Sequence, residues 1–137
     1  MSIDVQSMRA ERVASLKEEA DKIDTELRRV EGVLIKNIEE ASWSNLVQPG
    51  EVKINNYGVK YSWVEERGVA FRLKLSLPTL GLAYNLAAWR DQLAREASRK
   101  TWEQEDLFNL HCLVERGRTL VDSRLPDLMR VLGIEEN

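Results

Sequence analysis

The feature that most constrains this chain is a heptad row near its start. Val13, Leu16, Ala20, Ile23, Leu27, Val30 and Leu34 follow one another at spacings of 3, 4, 3, 4, 3 and 4. On an α-helix such a row forms one narrow apolar stripe, the a/d seam by which a helix buries itself against another. No proline interrupts it, and Gly32 falls at the outward f position. A glycine there costs roughly 1 kcal/mol against alanine and leaves the seam intact. A coiled-coil helix is therefore expected from about Asp4 to about Glu40, stopping before Ser42-Trp43-Ser44. After Leu34 the seam steps by four residues to Ile38 and then to Ala41, which would locally unwind a supercoil.

The flanking charges bear on what the seam pairs with. The g positions hold Arg12, Glu19 and Glu26, and the e positions hold Lys17, Asp24 and Glu31. A parallel homodimer would set Arg12 on Lys17, Glu19 on Asp24 and Glu26 on Glu31, all like-charged, and is disfavoured. An antiparallel pair sets Arg12 on Glu26 and Lys17 on Glu31. Exposed pairs are worth about 0.3–0.5 kcal/mol each, so they select an orientation while the apolar seam supplies the energy. The length of the stripe favours an antiparallel homo-oligomer. The alternative is that the helix packs on the C-terminal helices of its own chain.

Pro49-Gly50 marks a turn after the helix. Three segments with strand character follow, Glu51–Asn55, Val59–Glu65 and Val69–Leu77, separated by Asn56-Tyr57-Gly58 and Glu66-Arg67-Gly68. In the third, Val69, Phe71, Leu73, Leu75 and Leu77 alternate with Ala70, Arg72, Lys74 and Ser76. That is the pattern of an antiparallel meander with one face buried. Beyond Pro78 the chain reads as helical. Leu82, Leu86, Trp89, Leu93 and Ala97 form one apolar row, and Thr101-Trp102-Glu103-Gln104 a capping box that opens the next helix. Leu107, Leu110, Val114, Gly117 and Val121 continue one face, and a short helix from about Arg124 to Leu132 ends at Gly133. The expected class is α+β: a long N-terminal coiled-coil helix, a three-stranded antiparallel meander, and two or three C-terminal helices packed on the sheet. Residues 1–42 are the helix and 43–137 a compact α+β domain, together one structural unit.

Charge and cysteine usage narrow the function. Lys plus Arg number 20 and Asp plus Glu 23, a net charge of −3, so the chain as a whole is not steered to nucleic acid or anionic membrane. No run approaches the roughly 20 apolar residues of a bilayer span, and the first residues carry no secretory pattern. The one cysteine, Cys112, cannot form an internal disulfide. A soluble, cytoplasmic protein, or one intracellular within a host cell, is expected.

His111 and Cys112 are adjacent, so on a helix they point about 100° apart and cannot act as base and nucleophile. Zinc would require more His or Cys ligands than the chain contains. Glu51-Val52-Lys53 matches half of a metal-dependent nuclease motif, but no Asp lies between Asp24 and Asp91 to complete a metal clamp. No catalytic residue, metal or cofactor is expected, and the chain is read as a non-enzyme.

Two surfaces remain. Lys53, Lys60, Arg72 and Lys74 alternate to the wet side of the sheet with Ser62 and Ser76, a basic face suited to phosphate or nucleic acid. Of the four tryptophans, Trp63 and Trp89 fit core positions. Trp43 and Trp102 stand at element ends, where they either anchor a partner or close the core. The expected function is a protein–protein interaction protein that self-associates through its N-terminal helix and meets a macromolecular partner. A small regulatory or inhibitory protein, or a component of a larger assembly such as a phage particle, fits this description. An anion on the basic face is the alternative.

Overall fold

The computed structural model describes residues 5–66 and 69–135, with the side chains of 64–66, 69–72 and 87 outside the description. Helix α1 runs Val5–Ser44, four residues past the expected end at Glu40. Burial continues through Ile38 and Ala41, and Asn45 N–H closes the last turn on the Ala41 carbonyl at 2.7 Å. Strand β1, Leu46–Gln48, then turns through Pro49-Gly50 into β2, Glu51–Ile54. Gly50 has φ 82°, the conformation a type II turn requires after proline.

The second hairpin differs from expectation. Asn55 and Asn56 take φ 51° and 66° and form a two-residue turn of the primed kind. Tyr57 and Gly58 therefore belong to β3, Tyr57–Glu66. Strand β4 is Val69–Leu77 as expected; of the expected turn Glu66-Arg67-Gly68, Glu66 belongs to β3 and residues 67 and 68 lie outside the described residues.

A single 3₁₀ turn at Pro78–Leu80 leads into β5, Leu82–Asn85, antiparallel to β4. The sheet has five strands in the order β1-β2-β3-β4-β5, not three. Leu82 is thus a strand residue and not the head of a helical row. Asn85 Oδ1 accepts the Ala88 N–H at 3.1 Å and caps α2, Leu86–Ala97.

Helix α3, Gln104–Thr119, opens where Asp106 Oδ2 accepts the Glu103 N–H at 3.0 Å. It passes without a break through a π-helical turn, Leu120–Arg124, into α4, Leu125–Val131. Pro126 explains the π turn: its ring would collide with the carbonyl four residues back, and a locally wider turn moves that carbonyl aside. Gly133, at φ 68°, ends α4.

All seven seam residues are buried, as are Ile38 and Ala41, and they join Val52, Val59, Leu73, Leu75, Leu110, Val114 and Leu128 in one continuous core. The cover comes from the chain itself. Helix α1 packs against α2, α3 and the π turn and against β1 and β2 of the sheet. Within one chain the heptad row is already buried, each seam residue at 8% exposure or less.

The flanking charges follow the same geometry. Glu19 of the g row pairs with Arg118 of α3. Asp24 of the e row takes a two-pronged bond from Arg90 of α2 at 2.7 and 2.6 Å. The acids that would repel in a homodimer face arginines here.

Candidate functional site

Three regions can hold chemistry or a partner. The first is buried. Glu31 sits at the helix–sheet junction, where its carboxylate accepts the Leu73 N–H of β4. Burial raises its pKa above the usual 4.5, opposed by that hydrogen bond and by the nearby Arg90 and Arg28 charges. The folded state therefore binds this proton more tightly than the unfolded chain does. The stability it contributes is full at low pH and is lost as the pH rises from about 4.5 through the folded value. Glu31→Gln keeps an acceptor for Leu73 and removes the charge. It should stabilise the protein at pH 7 by about 1 kcal/mol and flatten that decline, read by thermal melts between pH 4 and 8. A lower melting temperature at pH 7 would show that the carboxylate is stabilised by its arginines.

The second region is the outer face of the sheet. Lys60 pairs across the ladder with Ser76, and Ser62 with Lys74. Two lysines and two serines thus occupy a square, with the lysines on one diagonal about 7–8 Å apart. They border a cavity of about 360 Å³ under the Pro49-Gly50 turn. Among the described residues no carboxylate lies within 4.0 Å of Lys60 or Lys74. Glu51, opposite Lys60, leans over Gly58 and is held by Gln48 Nε2 at 2.9 Å. Lys53, exposed on β2 opposite Gly58, stands outside the cavity. Arg72 is opposite Val64 in the ladder; its side chain lies outside the described residues.

The third region is apolar. Trp43, at the end of α1, is 89% exposed, and Leu46 and Val47 of β1 are each more than half exposed beside it in sequence. β1 is the terminal strand of the sheet, so its outer edge has no strand partner among the described residues.

Trp102, grouped with Trp43 by sequence, is only 8% exposed. It closes the end of the core, and its carbonyl accepts from Arg9 Nη1 at 3.0 Å. Trp89 is buried as expected, but Trp63 is 40% exposed. It lies on the inner-face alternation with its ring edge-on to Tyr61, at a level of the β3–β4 hairpin that the helices leave partly uncovered.

His111 is half-buried and its Nδ1 accepts from Arg12 Nη2 at 3.3 Å, while Cys112 is exposed. No helix among the described residues is long and apolar enough to cross a membrane. No protein family, curated protein or solved structure matches the chain.

Proposed function

We propose that this chain is a non-enzymatic protein–protein interaction protein that self-associates at the C-terminal end of its N-terminal helix. The exposure of Trp43 beside the open β1 edge carries this reading. Tryptophan dominates interface hot spots, and a large exposed apolar group costs solubility unless something covers it. Leu46-Val47-Gln48 bears no lysine or proline to blunt the edge. A second copy laid antiparallel along β1 would extend the sheet and bring the same patch together from both subunits. Such a surface serves a small regulatory or inhibitory protein, or a building block of a larger assembly.

Light scattering behind size exclusion tests this with wild type and the double variant Trp43→Ser, Val47→Lys. The expected result is a dimer or larger species that becomes a folded monomer, with a melting temperature no lower than a monomer of the same core requires. A wild type that stays monomeric at about 100 μM, a hundredfold above a micromolar dissociation constant, would refute self-association.

The shared cavity of Lys60 and Lys74 supports a second reading, an oxyanion held on the outer face. Lys60→Glu with Lys74→Glu should then abolish binding of a short oligonucleotide or of phosphate, and wild-type binding should weaken with salt by roughly one logarithmic unit of affinity per unit of log salt for each phosphate neutralised. Binding that ignores salt would exclude it.

A further inference from the structure

We propose that the cleft between β5, α2 and the π turn is a binding site for a small organic anion, an apolar or aromatic body ending in phosphate or carboxylate. The cleft has a volume of about 360 Å³, at the small end of the range for ligand pockets. Trp89 and Leu120 supply apolar wall, Tyr84 supplies a hydroxyl, and Arg116 and Arg124 stand at the rim; the Thr119 hydroxyl, also in the lining, donates to the Glu115 carbonyl at 3.1 Å.

The arginines carry the argument. Eight others among the described residues, Arg9, Arg28, Arg29, Arg90, Arg95, Arg99, Arg118 and Arg130, each lie within 4.0 Å of a carboxylate. Arg12 has His111 as its partner instead, while Arg116 and Arg124 have no carboxylate that close among the described residues and share the cleft. Arg116 is steadied by Gln92, whose Oε1 accepts from Nη1 at 3.3 Å. Asp127 of α4, whose charge reaches Tyr84, is paired with Arg130 at 2.8 Å. Two guanidiniums with unused donors at one opening suit an oxyanion, which accepts forked bonds from each.

The π turn places the second arginine. In an unbroken α-helix residue 124 would lie about 80° around the axis from residue 116. A π turn takes more residues per circuit, which returns Arg124 to the side that Arg116 and Leu120 occupy on the same cleft. Tyr84 reinforces the site. Burial raises its phenol above the usual 10.0, against the opposing pull of Arg124, so at neutral pH it remains a neutral hydrogen-bond donor. The indole of Trp89 is already committed through Nε1–H to the Leu113 carbonyl at 2.7 Å. What it offers the cleft is apolar surface, suited to a flat body.

Calorimetric titration of the full chain with phenyl phosphate, benzoate and inorganic phosphate tests the proposal. Phenyl phosphate or benzoate should bind at least about tenfold more tightly than inorganic phosphate, since only they bury a ring against Trp89 and Leu120. Arg124→Gln should weaken the organic anion by about tenfold or more, whereas Lys36→Gln, an exposed charge on α1, should leave it unchanged. Arg124 is exposed and outside the core, and a thermal melt confirms that the variant is folded. No heat at millimolar organic anion, equal affinity for inorganic phosphate, or equal weakening by Lys36→Gln would each overturn it.

Discussion

Replacing Gly117 by alanine should lower stability by about 2–4 kcal/mol, although alanine is the better helix former. In an exposed helix interior the substitution would gain roughly 1 kcal/mol. Here a β-carbon at residue 117 would stand 2.5 Å from Trp89 Cε2 and 2.7 Å from its Nε1. The indole lies directly on the glycine backbone and cannot give way freely, because its N–H is bonded to the Leu113 carbonyl at 2.7 Å. Moving the ring breaks that bond in a buried site, which costs about 1–3 kcal/mol by itself, and disturbs the packing of α2 on α3. A fall in melting temperature of about 10 °C is expected for a domain of this size. Trp89→Leu in the same background should recover part of the loss, a coupling that a double-mutant cycle measures. A Gly117→Ala variant that melts higher than wild type would show that the two helices do not meet through this contact.

Gly117 also shows how much of the fold a sequence discloses. Its place in the row from Leu107 to Val121 is legible, since helical spacing is local information. That the missing side chain accommodates Trp89, from another helix, is not, because nothing in either segment names its neighbour. The same division runs through the chain. The heptad stripe, the Pro49-Gly50 turn, the β4 alternation over Leu73–Leu77 and the stop at Gly133 all rest on short-range periodicity or turn chemistry, and all are present among the described residues.

β1 escapes because three residues are too few for alternation to register, and β5, no longer than β2, lacks the flanking turn signals on both sides that mark β2. Leu82 also stands four residues before Leu86 and so imitates a helical row. The β3 alternation places Trp63 on the correct face but not at the correct depth, since alternation says which side a residue takes and not how far the covering helices reach. The arginine cleft draws on β5, α2, α3 and the π turn together, and no spacing within one element announces it.

Periodicity likewise says that the heptad stripe is buried, and leaves open by what. The complement was present in the sequence as Arg90 and Arg118, placed 66 and 99 residues from the acids they meet. With the seam buried in the core of its own chain, Leu27→Glu becomes a test of the fold itself. Leu27 is 5% exposed within a single chain. The substitution loses about 2–3 kcal/mol of apolar burial and sets an unpaired carboxylate in the core, at a further cost of several kcal/mol. Against a total stability of about 5–15 kcal/mol, the variant should be unfolded or nearly so at 25 °C. It should not persist as a folded monomer. Leu27→Ala keeps the question answerable if the charged variant is lost to aggregation: it should fold, retain the wild-type mass, and lose about 2–4 kcal/mol in denaturant unfolding. The two association modes then separate by experiment. If the Trp43 and Val47 changes alter mass and spare stability while the Leu27 changes do the reverse, the seam builds the protomer and the β1 edge joins protomers. A Leu27 variant that halves the mass of a dimer and stays folded would reverse those assignments, because only a seam shared between chains can be broken without unfolding either one.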